Sequence, residues 1–279
     1  MAMKKKTIGR WKIAQRYEKR RWSRDSQNVL QTDWTKIKER YSDLSRIEKE
    51  IEMTDDWRIL DVGCGPTLMC RLFQKGEKHG IDPLMEGFLK LYNLPKGVHL
   101  SKGRGEELPF KDRSFDLVIS RNVLDHVQDP REVLTEMVRV LKKGGYLILA
   151  SNVYAVFPVS IKKIVEKLGI PLKEVYHPHF FTSNELRILC NKYGSIIEEK
   201  VVFEDSVDDF HRDFMCASIR FVHAFRRREI NEICNYAFWT IVRFLNRKLF
   251  NEASFFKEYM IVAKLNDEHP KKVLQLNIK

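Results

Sequence analysis

Apolar residues recur at spacings of three and four from Trp34 through Ile37, Tyr41, Leu44, Ile47 and Ile51. That period predicts one amphipathic helix, with Asp33 placed to cap its start. After Trp57 the pattern changes: short apolar runs at Arg58–Val62, His79–Asp82, Val98–Ser101, Phe115–Ser120, Gly145–Ala150 and Ser195–Phe203 alternate with helical stretches such as Pro130–Leu141 and Thr182–Tyr193. Repeated strand–helix alternation predicts an α/β fold with a mostly parallel sheet, helices on both faces and right-handed crossovers. From 204 to 257 helical spacing returns, with Phe210, Phe214, Phe221, Phe225, Phe238 and Trp239 set among basic residues, and the last apolar run, Tyr259–Leu265, is expected to rejoin the sheet. The expected organisation is therefore a basic helical cap over 1–53, an α/β core over 54–203, a helical insertion over 204–257, and a last strand and tail over 258–279.

Composition changes this picture in one respect. With 279 residues, 43% of them hydrophobic, the chain can bury one substantial core. The net charge of +12 is concentrated near the start, where Lys4 to Arg24 holds ten Lys/Arg against Glu18 alone. Such a face suits RNA, anionic lipid or a phosphorylated substrate, and equally a solvated basic helix. The five cysteines form no Cys-x-x-Cys pair, so neither a zinc cluster nor a disulfide framework is expected. Without a run of roughly 18 apolar residues or a secretory signal, the expected location is the cytoplasm.

The candidate chemistry begins at "LDVGCGPT". In an open parallel sheet, ligands bind at the carboxyl ends of strands near the switch in strand order. Asp61, Gly63 and Gly65 stand at the end of the first predicted strand, where glycines allow a sharp turn and close approach of a ligand to the main chain. The same turn could serve strand–helix packing alone. Asp82, 21 positions on, ends the second predicted strand, and a carboxylate there can accept hydrogen bonds from both hydroxyls of a ribose. No Gly-Lys-Ser/Thr follows the turn, and position 68 is Leu68 rather than the third glycine of a dinucleotide fingerprint. An NTPase and an NAD enzyme are both disfavoured.

Four ordered stretches, "ILDVGCGPT", "GID", "GRGEELPFKDRSFDLVISRNVLDHVQDP" and "VLKKGGYLILA", resemble the class I S-adenosylmethionine-dependent methyltransferases of the type 11 group, over roughly Arg58 to Val202. The resemblance implies a Rossmann-like, doubly wound seven-stranded sheet, an enzyme, and S-adenosyl-L-methionine as methyl donor. It also implies that Asp61, Gly63 and Gly65 line the methionine moiety, Asp82 the ribose, and Gly105 and Glu106 the adenine. Ser120 to Asn122 would face the methionine end and the acceptor. Two positions depart from the family pattern: Thr67 replaces the turn's third glycine, and Arg104 stands where an aspartate often faces the adenine amino group.

The expected acceptor is a small molecule or a glycan- or lipid-linked group that reacts at oxygen; RNA methylation, and a non-catalytic cofactor- or partner-binding protein, are the alternatives. Peripheral membrane contact also stays open. His126, beside Asp125, could take a hydroxyl proton. It could instead ligate a metal with Asn122, Asp125, His177 and His179, or simply make a structural hydrogen bond. The three readings stay open at this point; His126 and Asp125 are the candidate catalytic residues, with no metal expected. Tyr17 and Trp22 resemble an aromatic N-terminal segment that closes over the cofactor, and with His177 and His179 they are the candidate acceptor-side residues.

Overall fold

A computed structural model describes residues 15, 16, 18–20, 22, 26–167, 178–204, 241, 242, 245 and 256–266. The long amphipathic stretch forms two helices, α1 (Ser26–Arg40) and α2 (Leu44–Glu50), joined by a turn at Tyr41 to Asp43. Asp33 lies inside α1, so it does not cap the helix start. The apolar face continues one turn further back, to buried Leu30. The alternating region then supplies β1 (Arg58–Val62), β2 (Glu77–Asp82), α3 (Met85–Leu91), β3 (Val98–Lys102), β4 (Phe115–Arg121), α4 (Pro130–Val140), β5 (Leu141–Tyr154), α5 (Val156–Lys167), α6 (Ser183–Asn191), β6 (Gly194–Glu204) and β7 (Phe256–Leu265).

Local chemistry explains several of these boundaries. Asp129 caps α4 by accepting from the Arg131 amide at 2.9 Å, and Pro130 follows at the first helical position, where its missing N–H costs nothing. Thr182 and Glu185 form a reciprocal capping box on α6.

The strands form one sheet in the order β3-β2-β1-β4-β5-β7-β6. All neighbours are parallel except β7, which runs antiparallel to both β5 and β6. The fold is thus Rossmann-like and doubly wound. Val133, Leu134 and Met137 of α4 and Leu186 of α6 pack with Leu60, Val62 and Val118. In the second core cluster, Ile37, Tyr41, Leu44 and Ile47 of the N-terminal helices join Phe88 of α3 against Ile59, Leu117, Ile119 and Met260. Each such fully buried Leu or Ile contributes about 1.5–3 kcal/mol, which fixes the sheet as a rigid platform.

The chain runs outward from β1 to β3 and then returns to β4 on the other side of β1. That reversal opens a crevice beyond the carboxyl ends of β1 and β4, the position where a doubly wound sheet binds its ligand. The proposed 204–257 insertion and the tail fall largely outside the described residues. No helix among the described residues is long and apolar enough to cross a membrane.

Candidate functional site

A cavity of about 620 Å³ occupies this crevice. Gly63, Gly65, Thr67 and Asp82 line one end, and Arg121, Asn122, His126 and Asn152 the other; Trp22, Lys36 and Arg40 also line it. Among the described residues, no cluster of three or more His, Cys, Asp and Glu could hold a metal ion.

The glycine turn is built by backbone conformation. Gly63 (φ +67°) and Gly65 (φ +53°) are both left-handed, which favours glycine. A Cβ on Gly63 would lie 2.3 Å from a Val123 methyl, whereas a Cβ on Gly65 would meet nothing within 4 Å and would enter open space. Leu68 also adopts φ +54°, so the position lacking the dinucleotide fingerprint's glycine still makes a left-handed turn.

Asp82 sits where the turn meets the second strand. One carboxylate oxygen accepts from the Gly65 amide at 3.1 Å and the other from the Leu84 amide at 2.8 Å. Each oxygen keeps a further lone pair, so the pair can still receive two hydroxyl donors. Burial pushes the Asp82 pKa up to about 6, although both amides pull it down. Asp61 is more deeply placed: it accepts from the Cys70 amide at 3.0 Å, and burial raises it to about 7. Its carboxylate therefore holds the 3₁₀ turn Met69–Leu72 while it borders the cavity. Glu106 also borders the cavity and accepts from the Gln128 amide at 2.8 Å. Gly105 lies beside it.

The segment after β4 is bent by Asn122 (φ +53°), an uncommon conformation for a side chain other than glycine. His126 lines the cavity with its Nε2 3.8 Å from Asp125 Oδ2, and fully buried Asp125 accepts from Asn152 Nδ2 at 3.3 Å. Ser120 is buried and donates to the Val62 carbonyl at 3.2 Å, away from the cavity wall. His179 is placed under the 125–127 segment rather than on the cavity: its amide donates to the Asp125 carbonyl, and its Nε2 lies 3.0 Å from the Val127 carbonyl oxygen. Burial lowers its pKa. Trp22 lines the cavity and Phe88 and Tyr92 meet it edge-on; the Tyr92 hydroxyl donates to the Trp22 carbonyl at 2.6 Å. Tyr17 and His177 lie outside the described residues.

Sequence reasoning missed a buried ionic node beneath the Arg121–Asn122 end of the cavity. Glu258 of β7, only 1% exposed, pairs with Arg121 Nε at 2.8 Å and Arg40 Nη1 at 3.2 Å, and accepts from Asn122 Nδ2 at 2.9 Å. Burial lowers the Arg121 pKa, but Glu258 and Tyr41 more than offset this and leave it raised. The available signals were faint: an arginine closing the central apolar strand "LVISR", and a glutamate just ahead of "YMIVAKL".

A doubly wound sheet with a glycine turn at its switch point and an acid closing the second strand is the arrangement in which open α/β sheets bind nucleotides. Residues 60–149 match the family described as "Methyltransferase domain". An uncharacterised methyltransferase of Schizosaccharomyces pombe is 40% identical over 114 residues, which cover 36% of this chain and 40% of that protein. Ajmaline N-methyltransferase of Rauvolfia serpentina is 31% identical over 105 residues, covering 34% and 36% of the two chains. The alignments thus span about 40% or less of these relatives' own lengths. The fold is similar to that of YcgJ from Bacillus subtilis (TM-score 0.55, 21% identity, covering 82% of this chain and 99% of that one). It is also similar to that of the [4+2]-cyclase SpnF (TM-score 0.52, 16% identity, covering 82% and 81%). Residues 60–149 are thus similar to a methyltransferase domain, set in a sheet whose fold is that of YcgJ and SpnF.

Proposed function

We propose that this protein transfers a methyl group from S-adenosylmethionine to an oxygen of a small-molecule or glycan- or lipid-linked acceptor. The observation that carries the reading is Asp82, whose two oxygens are oriented by amides from two separate loops and open onto the cavity. The residues fit the cofactor: an ionised Asp82 receives the ribose hydroxyls, Gly63 and Gly65 admit its amino-acid end close to the main chain, and Gly105 and Glu106 border the base. Bound S-adenosylmethionine supplies an electrophilic methyl on a sulfonium whose sulfur keeps the bonding electron pair as the new bond to the acceptor forms.

The protein's task is then positional. Holding an acceptor in line and excluding water supplies on the order of 7–11 kcal/mol of the barrier. Asn122, held by Glu258, and Asn152, held by Asp125, offer amide groups to orient the acceptor. His126, its Nε2 3.8 Å from Asp125 Oδ2, accepts the proton a hydroxyl must lose.

Transfer of tritium from labelled S-adenosylmethionine to a panel of phenols, hydroxy acids and amines tests the reading. Turnover of hydroxyl acceptors that falls 10²- to 10⁴-fold in His126→Ala supports it. An amine acceptor is the second reading, supported by the N-methylating relative; there His126→Ala would leave turnover unchanged. Cofactor binding without methylation of any acceptor would instead favour a binding protein, since fold alone does not fix function.

A further inference from the structure

The cavity is electrically divided. Glu18, Asp61, Asp82 and Glu106 line it together with Arg104 around the ends of β1 and β2. At its other end Lys36, Arg40 and Arg121 line the wall, with Asp33 as the acid on the cavity surface and Glu258 buried behind it. Lys36 and Arg40 are four residues apart on α1 and share a face. Arg40 is further held by the Phe203 ring, 3.9 Å from its guanidinium carbon, and by Glu258. A guanidinium offers five N–H donors. Glu258 therefore fixes the direction of Arg40 and Arg121 without exhausting them. The Asn122 side-chain oxygen beside them is buried without a hydrogen-bond partner among the described residues, a condition that suits a polar group meeting a ligand.

We propose that Lys36, Arg40 and Arg121 form an anion-recognition wall for the methyl acceptor, so that the acceptor carries a carboxylate or phosphate in addition to its nucleophile. This rests on the methyl-donor reading above. Placement separates the wall from the cofactor. Asp82 ends β2; Arg121 closes β4, two strand spacings or roughly 10 Å away, and Glu258, which fixes Arg40 and Arg121, lies on β7, four strands along the sheet order β2-β1-β4-β5-β7. Four strand spacings are roughly 19 Å. A cofactor with its ribose on Asp82 and its amino-acid end against Gly63 is accommodated over β2 and β1, leaving the wall over β4 to β7 for a second molecule. An anion there completes the cation-rich end, and Asn122 Oδ1 can accept an N–H or O–H of the same molecule.

The test is calorimetric titration of the full-length protein loaded with S-adenosylhomocysteine, using benzoate, phenyl phosphate and benzamide. The anions are expected to bind at least tenfold more tightly than benzamide, and the tighter of the two identifies carboxylate or phosphate. Lys36→Gln and Arg40→Gln should each remove most of that preference; Lys36, exposed and outside the Glu258 node, keeps the test valid if Arg40→Gln unfolds. Equal binding of all three probes, or no anion binding, overturns the proposal. So does a second outcome: weakened S-adenosylhomocysteine binding in Lys36→Gln with unchanged binding of 5′-methylthioadenosine, which lacks the amino-acid carboxylate. That result would give the wall to the cofactor. If the unsubstituted protein binds no S-adenosylhomocysteine, the methyl-donor reading fails by itself. The three probes are then titrated into the unloaded protein, where tighter binding of the anions supports the wall and equal binding overturns it.

Discussion

Gly63 and Gly65 occupy one turn and share a left-handed backbone, yet replacing each by alanine should do different things. Gly63→Ala pays for the left-handed conformation and for a methyl placed 2.3 and 2.9 Å from the two Val123 methyls. The backbone accounts for about 1–2 kcal/mol and the overlap for about 1–3, so a loss of about 2–5 kcal/mol is expected. Gly65→Ala carries only the backbone cost, about 1–2 kcal/mol, because its methyl meets nothing within 4 Å. That methyl instead enters the space a ligand would use. The assay is urea denaturation of both variants alongside calorimetric titration with S-adenosylhomocysteine. Gly63→Ala should lose the more stability, and adding Val123→Ala should return part of it by removing both clashing methyls. Gly65→Ala should stay folded and lose at least tenfold in affinity. Equal destabilisation by the two substitutions, or a Gly65→Ala protein that binds as tightly as the parent, would refute the division of labour.

Glu258→Gln strips a buried carboxylate from two arginines and should cost about 3–5 kcal/mol in denaturant unfolding, with Arg121→Met added in the same chain recovering part of the loss. Asp82, at about 6 when folded and near 3.8 otherwise, contributes stability that is fully present below the lower value and lost as pH rises through about 6. Relative to the parent, Asp82→Asn should therefore gain melting temperature from about pH 4 to pH 6 and show no further change above; a difference independent of pH would contradict this. Tyr92→Phe removes the 2.6 Å bond to the Trp22 carbonyl and should cost about 0.5–1.5 kcal/mol, accompanied by faster proteolytic cleavage near Trp22.

The sheet was legible because buried parallel strands are short apolar runs, and all seven fall where such runs occur. The edges of these runs were less legible. β5 extends from Leu141 to Tyr154 rather than from Gly145 to Ala150, since Leu141 already pairs with Phe115 ahead of the charged Lys142 and Lys143, where the register with β4 shifts. β7 begins at Phe256, three residues before the apolar run, and those three include Glu258. Hydropathy hides a buried charge whose partners, Arg40 and Arg121, are distant in sequence. The break between α1 and α2 was invisible for a different reason: Tyr41 and Leu44 keep a helical spacing across the turn. Asp82 and the glycine turn could be read because their chemistry is local. Lys36 and Arg40 resembled any solvated helix face until the fold set them over the cavity.

Calorimetric titration of the full-length protein with S-adenosylhomocysteine, compared with Asp82→Asn, tests the central claim most directly. Saturable one-to-one binding that weakens at least tenfold in the variant, a loss of about 1.4 kcal/mol or more, is the predicted result. No binding by the parent, or identical affinity in the variant, would contradict the assignment of Asp82 as the ribose carboxylate of a methyl-donor site.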